Sequence, residues 1–398
     1  INAFNFPIWG MLEKIAVNFM AGVAAVVKPS EYTSFLTTAM VKEIINSGIL
    51  PEGSLQIIPG LGRGILDHVD HRDVVTFTGS AATGKILKSH PNILAHSVPF
   101  NMEADSLNAC VLGKDAVPGT AEFDLFVKEV HKEMTVKTGQ KCTAVRRVLV
   151  PENTIDKVQE ALISRLGKTA IGNPENKEVR MGALATKIQV ERVKENVELL
   201  MKSQEKVYGS LEKIPLIDAQ FEKGCFFSPI LFRNEKPFLK DDVHHVEAFG
   251  PVSTLIPYKD MEEAVAIVEM GKGSLVTSIV TNDDEIAKTF VTEAAHMNGR
   301  ILVLNERCAK ESTGHGSPMP LLTHGGPGRA GGGEEMGGTR GIKHYLQRTA
   351  IQGHPETITR ITEQFQVGAD QPISQPHVFR KHFEELVVGE TVFTHKHT

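Results

Sequence analysis

The stretch Lys137-Thr138-Gly139-Gln140-Lys141-Cys142-Thr143-Ala144 carries the residue types for nucleophilic chemistry at a thiol. A helix-like run from Phe123 to Met134 leads into it, and the Gly/Gln/Thr turn suits an exposed cysteine. The thiolate is the reactive form, so Cys142 needs a polar, electropositive niche, which Lys137 and Lys141 fit. The same residues also fit an inert thiol beside two solvated lysines, because free cysteine packs as a small hydrophobe. Other groups able to bind or react, namely Lys28, Gly60, Gly79, Ser80 and Glu103, fall at the ends of short apolar runs.

The elements that must position these groups alternate. Asn5-Phe6-Pro7 leads into an apolar helical run, Ile8 to Met20, closed by Gly22. Val23 to Val27 reads as a buried strand ending at Lys28-Pro29-Ser30-Glu31. Thr33 and Ser34 can cap the next helix, where Leu36, Met40 and Ile44 share a face before Gly48 stops it. Leu55 to Ile58 and Asp73 to Phe77 are further strands, the first followed by Pro59-Gly60-Leu61-Gly62 and the second by Thr78-Gly79-Ser80 and a helix through Leu87. Strands separated by helices indicate parallel βαβ units in a doubly wound sheet. Ligands in such sheets sit at the carboxyl ends of strands. The turn from Gly79 to Gly84 at a helix start can present backbone N–H groups to a phosphate. No full GxGxxG follows the first strand, and each glycine also fits a packing role.

From Cys110 to Asn305 the alternation repeats. Strands are expected at Val148 to Val150, from Gly224-Cys225-Phe226-Phe227-Ser228-Pro229 onward, and at Val252 to Ile256, Leu275 to Val280 and Ile301 to Leu304. Helices are expected at Asn153 to Leu166, Gln189 to Met201 and Met261 to Met270. A glycine-dense stretch, His324 to Gly338, reads as a long functional loop. Residues 351–380, with Pro355, Pro372 and Pro376, read as a linker. There is no internal repeat.

With 398 residues the chain can hold two or three domains. A net charge of −5 offers nothing to nucleic acid. Four cysteines, Cys110, Cys142, Cys225 and Cys308, lie far apart without CxxC or zinc spacing, which argues for a reducing compartment. No apolar run is long enough to span a membrane and no signal peptide opens the chain. The expectation is a soluble, cytoplasmic protein without metal. Both ends, Ile1-Asn2-Ala3-Phe4 and Thr394 to Thr398, read as cut from something larger.

Four pieces in order resemble the aldehyde dehydrogenase superfamily: Asn5-Phe6-Pro7, Phe77-Thr78-Gly79-Ser80, Gly139-Gln140-Lys141-Cys142 and Glu247-Ala248-Phe249-Gly250-Pro251, with Lys28-Pro29-Ser30-Glu31 as a fifth. The resemblance runs over roughly residues 1–350. It implies an α/β fold with a Rossmann-like parallel-sheet cofactor domain, an α/β catalytic domain carrying the thiol and an oligomerisation segment. On this reading residues 1–103 are a partial NAD(P)-binding domain lacking its N-terminal part, and 104–330 the catalytic domain. Residues 331–350 are the glycine-rich and return segment, ahead of the linker.

The resemblance also implies roles. Cys142 attacks an aldehyde carbon, and Asn5 with the backbone N–H of Cys142 holds the resulting oxyanion. Hydride leaves for a nicotinamide, and Glu103 activates the water that hydrolyses the thioester. Lys28, Ser30, Glu31 and Gly60 belong to the adenosine side of the cofactor site, and Gly79 and Ser80 to the pyrophosphate. Glu247 takes the nicotinamide ribose hydroxyls with Phe249 beside the ring, and Phe226, Phe227 and Phe249 line the aldehyde tunnel. Read as plain residues, Asn5 also fits a helix N-cap, Lys28 and Glu31 a surface pair, and Glu103 and Glu247 structural or solvated carboxylates.

After Glu103 the usual Leu-Gly-Gly is replaced by Ala104-Asp105-Ser106-Leu107-Asn108. This departure, the loop from His324 to Glu335 and the segment Gly341 to Gln352 resemble the bifunctional phenylacetate-degradation proteins of the PaaZ type. In those an aldehyde dehydrogenase domain precedes a MaoC-like hotdog domain, whose opening His382 to Glu390 resembles; 381–398 is read as that beginning. The implied substrate is a CoA-linked semialdehyde released by opening of an oxepin-CoA ring, of the 3-oxo-5,6-dehydrosuberyl-CoA semialdehyde type. The implied cofactor is NADP. Glu31, a carboxylate suited to a free 2′-hydroxyl, leaves NAD open. The implied assembly is a dimer-based homo-oligomer, up to a hexamer. A semialdehyde dehydrogenase of benzoyl-CoA catabolism and a non-catalytic scaffold for a hotdog partner are the alternatives.

Overall fold

The computed structural model describes residues 1–370 except 317, 320, 321, 323, 324 and 335–337. The hotdog reading of 381–398 therefore lies outside the described residues. Two compact units are present, Ile1–Leu346 and Gln347–Thr398.

The first unit opens with a small α/β part: α1 (Trp9–Met20), β1 (Ala25–Val27), α2 (Ser34–Asn46), β2 (Leu55–Ile57), β3 (Val75–Thr78), α3 (Ala81–Lys88), α4 (Pro91–Ala95) and β4 (Phe100–Glu103). β1 pairs parallel to β2, and β3 parallel to β4. The backbone of Ile1 and Asn2 lies between the pairs, with Asn2 N–H donating to Lys28 O and Thr78 N–H to Ile1 O, both at 3.0 Å. α1 ends where Gly22 turns the chain with φ +73°, a conformation that costs glycine least. Thr33 stands at the N-cap of α2, but its hydroxyl donates to Phe4 O at 3.2 Å instead of accepting from the helix. The expected side-chain cap is thus replaced by a tie between α2 and the Asn5 segment.

The larger part holds β5 (Asn108–Leu112), α5 (Ala121–Thr135), β6 (Val145–Pro151), α6 (Ile155–Leu166), α7 (Lys187–Leu200), β7 (Glu205–Tyr208), β8 (Ile230–Arg233), β9 (Val252–Tyr258), α8 (Met261–Glu269), β10 (Ser274–Val280), α9 (Asp284–Ala294) and β11 (Asn298–Leu304). Seven strands form one sheet in the order β11-β10-β5-β6-β9-β8-β7. Only the edge strand β7 runs antiparallel. Every residue of β5, β6 and β9 is buried, as expected of parallel strands covered on both faces. On one face Phe126, Val130 and Met134 of α5 and Val158 and Leu162 of α6 pack over Val148 and Val150. On the other, Ala264 and Ile267 of α8 and Phe290 of α9 pack over Leu149, Ile256 and Tyr258.

Some expectations are corrected. The strand anticipated from Gly224 begins only at Ile230. Phe226 and Phe227 instead turn into two apolar clusters, and Pro229 has no N–H for a ladder. Residues 351–380, read as a linker, contain the helix α10 (Pro355–Thr362), started by a proline at its first turn. The described part of the glycine-dense stretch, read as a long functional loop, is tied to β4. Gly333 N–H donates to Met102 O at 3.1 Å, and Ala104 N–H donates to Ala330 O at 2.9 Å. A Cβ on Gly331 or Gly333 would stand 2.3 or 2.4 Å from Met102 O, so only glycine lets this backbone lie against β4.

Candidate active site

The carboxyl ends of β1, β3 and β4 open onto a cavity of about 650 Å³. Asn5, Lys28, Ser30, Glu31, Gly79, Ser80, Glu103, Cys142, Glu247 and Phe249 all line it. Of the residues given a catalytic or cofactor-binding role from the sequence, Gly60 lies outside, in the turn after β2 with φ +91°.

The nucleophile turn is held in an unusual backbone path. Lys137, Thr138 and Gly139 have consecutive positive φ values of 53°, 54° and 67°. For side-chain-bearing residues this costs on the order of 1–3 kcal/mol each and needs outside support. Thr138 donates its hydroxyl to Gly182 O and Ala183 O at 3.1 and 3.2 Å. A Cβ on Gly139 would stand 2.2 Å from Gly250 O, so the turn is pressed onto the Glu247-to-Pro251 segment. The buried Arg146 joins the two by donating to Gly250 O at 2.6 Å and Gly139 O at 2.8 Å. Gln140 adds a bond to Phe249 O at 3.2 Å and accepts from Ala185 N–H at 2.9 Å.

The two lysines of the turn do different things. Lys141 is not solvated: it forms a buried ion pair with Glu133 of α5 at 2.7 Å, which neutralises its charge. Lys137 donates to Asn5 O and its ammonium stacks 3.7 Å from the Phe6 ring centroid. Burial holds that ammonium below the ordinary lysine value, and the nearby Cys142 opposes the shift. Asn5 itself donates Nδ2 to Gln140 O at 3.2 Å, which fixes its amide at the cavity wall.

Glu103 ends β4. Its Oε2 accepts from Lys14 Nζ at 3.0 Å and from Thr78 Oγ1 at 2.9 Å. Lys14, on α1, is buried and also pairs with Glu13 at 2.9 Å. Carboxylate, ammonium and hydroxyl thus come from three separate elements.

Glu247 lies at the other wall. Burial pushes its carboxyl up to about 7, opposed by Arg146. The Arg146 Nε is 3.5 Å away, too poorly aligned for a hydrogen bond, and Glu247 Oε1 has no hydrogen-bond partner. A buried carboxylate oxygen without a donor, facing a cavity, could accept the hydroxyls of a sugar. Phe249 packs edge-on to Phe4 with centroids 5.9 Å apart.

The first turn of α3 is largely occupied. Ser80 accepts from Thr83 N–H at 3.2 Å, and Asp105 accepts from Ala81 N–H at 2.8 Å. A phosphate near Gly79 and Ser80 would therefore meet a carboxylate as well as the helix end. Among the described residues no cluster of three His, Cys, Asp or Glu side chains could hold a metal, and no helix is long and apolar enough to cross a membrane.

The cavity also recruits residues that sequence reasoning passed over: Gln189, Arg192 and Asn196 at one side of α7, and Arg329 of the glycine-rich stretch. Arg329 donates to His244 O and His245 O at 3.0 and 2.9 Å, bracing the segment that carries Glu247. The spacing of Gln189, Arg192 and Asn196, three and four positions apart, was a readable signal of a polar helix face. Phe226 and Phe227 are not in the cavity; they are buried among Ile171 and Met181, and among Leu184 and Val197.

Comparison with known proteins bears on the family and the fold. The aldehyde dehydrogenase family model matches residues 1–351. The 3,4-dehydroadipyl-CoA semialdehyde dehydrogenase of Aromatoleum evansii is 44% identical over 327 residues, 82% of this chain and 64% of that protein. Protein MaoC of Klebsiella aerogenes is 44% identical over 219 residues, 55% of this chain and 64% of that protein. The chain thus spans less than two thirds of the length of these relatives. Betaine aldehyde dehydrogenase from Staphylococcus aureus, in complex with NAD+, superposes with a TM-score of 0.75 at 25% identity, covering 86% of this chain and 64% of that one. A match over residues 1–351, together with a thiol, a carboxylate and an asparagine amide around one cavity, makes this chain a member of the aldehyde dehydrogenase family.

Proposed function

We propose that this cavity oxidises a CoA-linked semialdehyde to the corresponding acid, with NADP, or NAD in its place, as hydride acceptor. The observation that carries the reading is the shared cavity of Cys142, Glu103 and Asn5, with the unpartnered Glu247 oxygen across from them. The 44% identity to a CoA-semialdehyde dehydrogenase supports the substrate class.

Cys142 Sγ attacks the aldehyde carbon and forms a hemithioacetal, whose oxygen takes up the carbonyl electron pair. The Asn5 amide and the Cys142 backbone N–H stabilise that oxyanion. A bound nicotinamide ring supplies the acceptor for the hydride. Once the hydride has left, Cys142 carries a thioester. Glu103 takes a proton from water, the water oxygen adds to the thioester carbon, and the C–S bond breaks to return the thiolate. Lys14 and Thr78 keep the Glu103 carboxylate in one orientation. Glu247 accepts ribose hydroxyls, Gly79 and Ser80 face the pyrophosphate, and Lys28, Ser30 and Glu31 the adenosine side. Lys28 suits a 2′-phosphate and Glu31 a free hydroxyl, so the choice of NADP rests on the resemblance. The family reading also carries a dimer-based homo-oligomer, which sedimentation would test.

Two substrates deserve comparison: the 3-oxo-5,6-dehydrosuberyl-CoA semialdehyde type, which rests on the PaaZ-type resemblance, and 3,4-dehydroadipyl-CoA semialdehyde, named by the Aromatoleum relative. The test is reduced-cofactor formation by the full-length protein with each aldehyde and each cofactor. Cys142→Ala is expected to abolish it, and Glu103→Gln to give one burst and then stall. Wild type that reduces neither cofactor, or Cys142→Ala that matches wild type, sinks the reading and leaves a scaffold.

A further inference from the structure

The nucleophile turn has no ladder to hold its backbone, yet each of its six carbonyl oxygens from Gly139 to Ala144 accepts a side-chain N–H. Arg146 serves Gly139 O and, at 3.4 Å, Lys141 O, and Asn5 serves Gln140 O. The remaining three belong to two residues with no place in the chemistry above. Asn108 Nδ2 donates to Cys142 O at 2.8 Å and to Ala144 O at 2.9 Å. His315 Nδ1 lies 3.2 Å from Thr143 O.

Both side chains are completely buried and themselves locked. Asn108 Oδ1 accepts from Ser106 Oγ at 2.5 Å and from Val276 N–H at 3.2 Å, which fixes the amide so that its donors face the cysteine turn. A carbonyl can only accept, so His315 carries its proton on Nδ1, and its Nε2 accepts from Ser278 Oγ at 2.6 Å. Burial pushes that imidazole down to about 3, so it stays neutral with this tautomer across the working range.

We propose that Asn108 and His315 are positioning residues that set the Cys142 sulfur against its oxyanion donors by clamping the carbonyls of Cys142, Thr143 and Ala144. The proposal rests on Cys142 being the nucleophile. The turn is strained just upstream, at Lys137 and Thr138, so without these clamps it has a reason to relax. Hydride transfer needs the sulfur and the oxyanion donors in register, and small displacements there are expensive. Alkylation of the same thiol by iodoacetamide needs the sulfur alone. A positioning role therefore separates the two reactions, and a role in overall folding does not.

The experiment uses the full-length enzyme and compares the single-turnover hydride burst, iodoacetamide alkylation of Cys142 and cofactor affinity. Asn108→Leu, which keeps the shape and loses both donors, is expected to slow the burst about tenfold to a hundredfold. Alkylation is expected to change by less than about threefold, and cofactor affinity by less than about twofold. His315→Phe is expected to slow the burst similarly, while His315→Asn, whose amide can replace the Nδ1 donor, restores most of it. A wild-type burst in both donor-free variants overturns the proposal, as does a parallel fall in burst, alkylation and cofactor binding. If Asn108→Leu fails to fold, the His315 pair decides: rescue by Asn sustains the proposal, and equal rates for Phe and Asn overturn it. A Cys142→Ala control that keeps the burst would instead remove the functional reading beneath it.

Discussion

The ammonium of Lys14 lies 3.0 Å from the carboxylate of Glu103, although 89 positions separate them in the chain. The pair is mostly buried, with the two side chains 7% and 17% exposed, so it is not a screened surface contact. Lys14 therefore fixes where the proposed base points. Lys14→Met is expected to leave the hydride burst in place and to slow thioester hydrolysis about tenfold, the worth of one charged hydrogen bond. Pre-steady-state cofactor reduction, with burst and steady state read separately, checks this. Equal losses in both phases would count against the assignment.

Glu247 makes stability depend on pH. Its folded-state value is raised from 4.5 to about 7, chiefly by burial, with Arg146 and Arg329 opposing and Asp105 adding to the shift. Because the folded form holds the proton more tightly, this contribution is complete below about pH 4.5 and is lost as pH rises through about 7. The full swing is roughly 3 kcal/mol at most. Glu247→Gln is expected to flatten the fall in melting temperature over that window, measured by calorimetry at a series of pH values. An unchanged slope would show that another group titrates there.

Asp105 places a carboxylate on the first turn of α3, 2.8 Å from Ala81 N–H. A dinucleotide phosphate would have to approach this charge. Asp105→Asn keeps an acceptor for Ala81 and removes the charge, so dinucleotide binding is expected to tighten by about twofold to fivefold. Titration calorimetry checks the direction; weaker binding would mean that the carboxylate assists the cofactor.

Phe227 was expected to face substrate, and the fold puts it in a cluster with Leu184, Val197 and Phe232. Phe227→Ala is accordingly expected to cost about 3–5 kcal/mol of stability. The Michaelis constant for aldehyde should hold steady while denaturant melts report the loss.

The legible part of the molecule was the part written in local pattern. The apolar periodicity of Leu36, Met40 and Ile44 marks α2, and the β-branched run Val252 to Ile256 marks most of β9. Ordered motifs brought Asn5, Glu103, Cys142 and Glu247 to one cavity. The short edge strand β7, without a distinctive run, was missed, because its pairing is decided by a partner elsewhere in the chain. Lys14 was hidden for a different reason: in a helix a lysine reads as solvated, and only the packing of α1 beside β4 turns it inward. Glycine density in the stretch around Gly331 marked a loop, but not the reason for it, which at Gly331 and Gly333 is the backbone of Met102 within touching distance. Asn108 stood in the distinctive stretch after Glu103 without a role of its own, and His315 carries no motif at all.

The strand order has a bearing on how this enzyme is born. Cys142 leads directly into β6, and Glu247 leads into β9, and these strands are neighbours with Arg147 opposite Thr254. The backbone on either side of Glu103, at Met102 and Ala104, is braced by Gly333 and Ala330, more than two hundred residues later. Contacts of such long sequence separation form late, after the loop-closure entropy has been met. A chain emerging from the ribosome therefore carries its cysteine for roughly a hundred further residues before the segment that supports its turn exists. The turn that carries the thiol gains its support at Gly250 only when the segment ahead of β9 docks, and the backbone around Glu103 gains its own from Ala330 and Gly333.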